Sequence, residues 1–261
     1  MLDRVAASEG LNVSVVLIAP HMDDEIVGAH TVIESLDAVV FVTDSACQWR
    51  DVRMPTEEFI RQRKSSALRV ARKYGYRVVF LDFSNEFLHR AAPTYKASLF
   101  GRLAETIGIG DLVYVPSIFD QNLEHNLCGA YALVACFVKK AHPVMYSGSY
   151  PMPEGTGPTK VPCRPEKMAD LQLYPMEYRD MVEVGYPLLD YEHFLDLPSG
   201  STIRRDSNHN QTPYIRHPPP YVIHGMKEGA MILQRDQTRD AGDNPVSTQA
   251  QPQVRWRWPS P

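Results

Sequence analysis

The sequence predicts an α/β fold of the Rossmann-like kind, a mostly parallel sheet with helices on both faces. Three observations lead there. Short Val- and Ile-rich runs alternate with helix-period segments over roughly the first 150 residues. The runs are apolar throughout, as strands buried on both faces require. The chain also has 261 residues, 44% of them hydrophobic, enough for a large core without metal or disulfide staples.

VSVVLIA (13–19) reads as the first strand, followed by a helix from about Asp24 to Leu36. AVVFVTD (38–44) is the second strand. PTEEFIRQRKSSALRVARKYG (55–75) opens with proline and acids and stops at Gly75, the marks of a bounded helix. RVVFLDF (77–83) is the third strand and YKASLFGRLAETIG (95–108) an amphipathic helix. DLVYVP (111–116) is the fourth strand, NLCGAYALVACFVKKA (126–141) a buried helix and PVMYSGS (143–149) the fifth strand.

Beyond residue 150 the alternation stops. SYPMPEGTGPTKVPCRP reads as a long loop or lid, and a helix resumes over EKMADLQLYPMEYRDMVEVG with a break near Pro175. Residues 198–225 carry no element signal, and from about Gln234 the chain is polar and aperiodic, a disordered tail. The expected organisation is one domain over 1–233, with its core at 13–180, its irregular part at 181–233 and the tail at 234–261.

Bulk charge excludes some functions. A net charge of −4 gives no field for nucleic acid or anionic membrane. No apolar stretch is long enough to span a bilayer, and MLDRVAASEG is not a signal peptide. Cys47, Cys128, Cys136 and Cys163 are widely spaced with no CxxC, so a reducing, cytoplasmic location is expected.

The chemistry gathers at the end of the first strand, where VVLIAPHMDDEIVG sets a histidine and three acids on a run of buried-type residues. Capping and helix-dipole effects account for one or two acids, not for three plus His21. A divalent metal gives the cluster a reason, and histidine favours zinc or another borderline metal over magnesium or calcium. Two groups here can share one ion, so a third ligand must come from another strand's carboxyl end. PSIFDQNLEHN, after the fourth strand, places Asp120, Glu124 and His125 there, with His125 the natural third ligand.

APHMDDE, followed about a hundred residues later by DQNLEH, resembles the zinc-dependent N-deacetylases of the PIG-L/LmbE type. RKSSALRVARKYGYRVVFLDF and KMADLQLYPME resemble two further segments of that family. The resemblance implies the PIG-L/LmbE-like deacetylase fold and hydrolysis of an N-acyl group, most often acetyl, from an amino sugar or glucosamine-containing conjugate. It implies one Zn2+ held by His21, Asp24 and His125, with Asp23 as general base. Glu25 and Glu124 would orient neighbours, and Arg63, Asn85, Glu86 and Asp120 would face substrate. The expected partner is thus a small N-acetylated sugar or glycoconjugate; iron, nickel or cobalt in place of zinc, and a homo-oligomer, stay open.

One departure bears on catalysis. Asn122 stands where the family has a histidine, and asparagine can hydrogen-bond an oxyanion but cannot supply a proton. Three accounts follow: Asp23 acts as base and then acid with Asn122 as donor; His193 or His209 fills the gap; or the chain binds metal without useful turnover. His30 and Thr31 also replace a family Gly pair. Tyr146, Tyr150 and Tyr174 are candidates to stack on a sugar, as are Trp256 and Trp258 of the tail. Magnesium-dependent phosphoryl transfer by the acids alone is a rival. A nucleotide-binding Rossmann protein is not favoured, because no GxGxxG follows the first strand.

Overall fold

The computed structural model describes residues 13–46, 54–85, 93–120, 122–152, 157–184 and 188–197, and beyond them 202–205, 213–216, 221–227 and 230–235. Two compact units divide the chain, Met1–Asp196 and Leu197–Pro261.

In the first unit seven strands form one sheet in the order β3-β2-β1-β4-β5-β7-β6. They are β1 (Val15–Ala19), β2 (Ala38–Thr43), β3 (Arg77–Phe83), β4 (Leu112–Pro116), β5 (His142–Ser147), β6 (Thr159–Pro162) and β7 (Tyr191–Asp196). The first five pair in parallel, and β7 runs antiparallel to both β5 and β6. β6 falls inside the segment expected to be a loop, and its Pro162, lacking an N–H, is tolerated because β6 is an edge strand.

The helices are α1 (Asp24–Val27), α2 (Thr56–Tyr74), α3 (Pro93–Thr106), α4 (Leu123–Lys139), α5 (Lys167–Leu171) and α6 (Pro175–Val184). α3 packs on α4, and α1 on α5. α2 ends where Gly75 takes φ 82 and closes the helix with its N–H on Ala71 O. Pro175 opens α6, the position where a missing N–H costs nothing. The core forms where apolar strand faces meet helices, with Leu17, Val39, Phe41, Ile26, Ile33, Ala67 and Val70 buried. No described helix is long and apolar enough to cross a membrane.

The helix expected over residues 24–36 is not continuous. α1 ends at Val27, and a 3-10 helix follows over His30–Ser35. Two residues remote in sequence divert the helical hydrogen bonds. An α-helix would pair Thr31 N–H with Val27 O; instead Lys167 Nζ donates to Val27 O at 2.7 Å and Thr31 N to Glu192 Oε2 at 2.8 Å. Glu192 also accepts from His30 N at 3.0 Å and pairs with Lys167 Nζ at 2.9 Å, both charges buried. His30 Nε2 turns to Asp170 at 2.8 Å, where Lys73 and Tyr74 also bind.

Gly148 lets the chain after β5 close on this break, since a Cβ there would lie 1.9 Å from Val27 O and 2.7 Å from Gly28 Cα. Both contacts are backbone and cannot rotate away. Gly148→Ala is expected to destabilise the fold by about 1–3 kcal/mol, the usual range for overpacking, measured by urea denaturation.

The second unit holds a four-stranded sheet of order β11-β10-β9-β8, with β8 (Thr202–Arg205), β9 (Pro213–Arg216), β10 (Tyr221–Lys227) and β11 (Ala230–Arg235). All its pairings are antiparallel. Residues 198–225, which carry no element signal in sequence, thus contribute β8, β9 and part of β10. The segment 236–261, with Trp256 and Trp258, lies outside the described residues.

Candidate metal centre

Strand order reverses between β1 and β4, which are neighbours in the sheet although β2 and β3 lie between them in sequence. At such a switch the loops after the two strands diverge and leave a crevice at their carboxyl ends. Both motifs sit there. After β1, Pro20 O is bound by Thr43 N at 3.0 Å and Thr43 Oγ1 at 2.8 Å, tying the turn to β2. Ser45 Oγ accepts Met22 N at 2.9 Å, and Asp24 Oδ2 accepts His21 N at 2.7 Å. Between them Asp23 is held at φ 144, a conformation that costs a non-glycine residue about 1–3 kcal/mol.

After β4, Asp120 Oδ1 accepts Asn122 N at 2.9 Å. Asn122 then caps α4, its Oδ1 accepting Glu124 N at 2.9 Å. The first turn of α4 thereby delivers His125 to the crevice. Gly129 allows the close approach: a Cβ there would meet Pro116 O at 2.3 Å.

His21, Asp24 and His125 each offer one ligand atom, and these atoms lie within 4.8 Å of one another. His21 Nδ1 and His125 Nε2 are 3.2 Å apart, with Asp24 oxygens 3.5 Å from the first and 3.4 Å from the second. The outer nitrogens are occupied. His21 Nε2 faces Asn85 Oδ1 at 3.0 Å, and His125 Nδ1 faces Asp120 Oδ2 at 3.1 Å. Each oxygen can only accept, so each outer nitrogen is the donor and its inner partner is left with a lone pair. Two lone pairs and a carboxylate oxygen then converge on one point, and this donor set fits a zinc-type cation.

Without metal, a proton is the available cation. Burial opposes charge on His125, but Asp24 and Asp120 outweigh it and hold the imidazole up at about 10. The same histidine pulls Asp24 against its burial down to about 2. Because the metal needs the neutral imidazole, uptake between pH 6 and 8 should release close to one proton, and affinity should rise about tenfold per pH unit. Zinc titration calorimetry in buffers of different ionisation enthalpy measures this release.

Asp23 lies alongside. Burial raises its carboxyl well above the usual range, opposed by Arg63, whose Nη2 is 3.1 Å from Asp23 Oδ2. Arg63 also donates Nη1 to Ser45 O at 3.2 Å and Nη2 to Met22 O, and its Nε pairs with Glu177 Oε1 at 2.7 Å. Glu25, fully buried, accepts Asp23 N at 3.2 Å and Tyr174 OH at 2.6 Å, and burial pushes its carboxyl up to about 7.

Several residues expected to face substrate are engaged within the protein. Arg63 is 5% exposed with the partners just given, Asn85 backs His21, and Asp120 backs His125. Glu124 sits half-buried in the first turn of α4. Tyr146 is a core residue donating to Ile18 O at 3.0 Å, and Tyr174 is buried on Glu25. Tyr150 is half-buried at the carboxyl end of β5, its carbonyl accepting Ser147 Oγ at 2.6 Å. His193 pairs with Ser147 across β5 and β7, and its Nδ1 accepts Met152 N at 3.1 Å. Glu86 and His209 lie outside the described residues. Tyr174 and Glu177 both lie in KMADLQLYPME, but their holding roles, on Glu25 and Arg63, are set by partners remote in sequence.

By sequence the chain matches no family model and no curated protein. Solved structures do match. The 4-carboxy-2-hydroxymuconate hydratase of Pseudomonas putida KT2440 aligns at TM-score 0.51 and 19% identity, over 74% of this chain and all of its own. The N,N'-diacetylchitobiose deacetylase of Pyrococcus horikoshii aligns at 0.51 and 14% identity, covering 69% of this chain and 83% of that one. This chain has the PIG-L/LmbE-like deacetylase fold. The deacetylase of the antimicrobial A40926 pseudoaglycone aligns with it at 0.51 and 11% identity, over 74% of this chain and all of its own. Within the PIG-L/LmbE-like fold, then, both hydrolytic deacetylation and hydration occur among the neighbours, so the reaction must be argued from the site.

Proposed function

We propose that this chain is a zinc-dependent N-deacetylase, removing an acyl group, foremost acetyl, from an amino sugar or glucosamine-containing conjugate. The observation that carries the reading is the convergence of His21, Asp24 and His125 on one point with the Asp23 carboxylate alongside. Deacetylases that share the fold support it. His21, Asp24 and His125 would hold the ion. Bound there, zinc would supply Lewis-acid polarisation of the acyl carbonyl and would lower the pKa of the attacking water.

The chain's own residues supply the proton traffic. Asp23 takes the proton of the attacking water and returns it to the leaving amine, work suited to a carboxyl raised by burial. Asn122 Oδ1 is engaged in capping α4, which leaves its amide N–H as a donor for the developing oxyanion. His193, with Nδ1 already accepting and its protonated form disfavoured by burial and by Lys160, is a poor proton donor at neutral pH.

A second reading, metal binding without useful turnover, is favoured by Asn122 alone. Amine release from N-acetylglucosamine conjugates, with zinc and after chelation, separates the two. Chelator-sensitive release, lost together with zinc in His125→Ala, is the expected result. Stoichiometric zinc without turnover on any conjugate, reversed by Asn122→His, would move the chain to the second reading. Protein that takes up no zinc would sink both.

A further inference from the structure

We propose that Arg63 is a positioning residue that clamps Asp23 in place, with Glu177 aiming it, rather than a contact to substrate. The inference deepens the deacetylase reading and rests on it for what Asp23 does. Arg63 lies on the buried face of α2 with Phe59, Ser66, Ala67 and Val70, not on the solvent face. Its terminal nitrogens donate to protein carbonyls, Nη1 to Ser45 O and Nη2 to Met22 O, and two carboxylates pair with its charge, Asp23 Oδ2 3.1 Å from Nη2 and Glu177 Oε1 2.7 Å from Nε. A guanidinium that recognises a substrate oxyanion or diol presents its two-pronged end to an open cavity. Here both terminal nitrogens point at protein oxygens, and the residue is 5% exposed.

The three oxygens at that end, two carbonyl acceptors and one charge partner, surround one short stretch of backbone. Met22 O belongs to the peptide entering Asp23, Asp23 Oδ2 is its side chain, and Ser45 O belongs to the segment whose hydroxyl holds Met22 N. With Glu25 Oε2 on Asp23 N, the peptide before Asp23 and its carboxylate are held from both sides, and this is the residue at φ 144. A backbone in that region relaxes unless its surroundings over-determine it. Arg63 is the group placed to prevent the relaxation. Glu177, 4% exposed, holds the guanidinium by its charge, with Oε1 2.7 Å from Nε.

The test compares Arg63→Met, Arg63→Lys, Glu177→Gln, Asp23→Asn and Arg63→Met/Asp23→Asn in the full chain. Readouts are zinc affinity by chelator competition, Tm, and kcat and KM on an N-acetylated conjugate. A clamp predicts that Arg63→Met lowers kcat about 100-fold or more, with KM and zinc affinity within about threefold. Arg63→Lys keeps the charge without the fork and should not restore kcat. Glu177→Gln removes the buried charge beside Nε but keeps the side chain's shape and should cost kcat less, about tenfold, again with KM unchanged; it carries the test if Arg63→Met does not fold. Arg63→Met should also lower Tm more in the wild-type background than in Asp23→Asn, because the two residues are coupled. A raised KM with kcat retained would make Arg63 a substrate contact and overturn the proposal, as would an equal Tm loss in both backgrounds. The Tm comparison needs no substrate. Absence of turnover in the wild type would count against the deacetylase reading, and the Tm pair would then decide the clamp by itself.

Discussion

Asp23→Asn should lower kcat by about 100- to 10,000-fold, the span a general base contributes, while zinc content stays at the wild-type level. The asparagine side chain has nearly the same shape, and its amide oxygen can still accept from Arg63. What disappears is a group able to take and return a proton. Asp23 is suited to that task because burial lifts its carboxyl while Arg63, 3.1 Å away, keeps the charged form within reach. Metal analysis alongside single-turnover kinetics checks the prediction. Retained turnover would place the base elsewhere; zinc lost together with turnover would make Asp23 part of the metal's hold.

The second large effect is on stability. Lys167→Met should destabilise the first unit by about 3–5 kcal/mol, because it leaves a buried carboxylate without its countercharge. Glu192 is 0% exposed, and its remaining donors would be His30 N, Thr31 N and Thr31 Oγ1. Val27 O, bound by Lys167 Nζ at 2.7 Å, would also lose that partner. Chemical denaturation of Lys167→Met and of Lys167→Met/Glu192→Gln tests both parts. The double variant should be the more stable of the two, since removing both charges avoids the isolated one.

The parallel strands were legible because a strand covered on both faces must be apolar throughout, and VSVVLIA, AVVFVTD and DLVYVP are nearly so. The residues that approach one another at the candidate centre were legible for a related reason: acids and histidines at the ends of two such strands need a shared explanation. What lay beyond reach was set by distant partners. The break after Val27 depends on Lys167 and Glu192, and no local pattern in DEIVGAHTVIES announces it. Asn85 and Asp120 were expected to face substrate, yet each backs a histidine. Arg63 could have been placed better. The spacing Phe59, Arg63, Ser66, Ala67, Val70 is a helical stripe, so the arginine belongs to the covered face, whereas RQRK alone suggests the wet one. In the second unit, YVIHGMK and AMILQR, separated by two residues of which the second is Gly229, carried a hairpin signal that the surrounding polar sequence masked.

The bonds that shape the acidic turn reach far along the chain: Glu25 to Tyr174, Val27 to Lys167 and Thr31 to Glu192. During synthesis on a ribosome, Asp23 and Asp24 emerge early and Ser45 and Arg63 soon after, but the last groups that restrain their turn arrive only when residue 192 has been made. A nascent chain halted near residue 150 would carry the parallel strands with a reactive corner still unshaped. The three proposed metal ligands, His21, Asp24 and His125, are all made before Lys167, Tyr174 and Glu192, so cation uptake by the growing polypeptide can precede the closing of that corner.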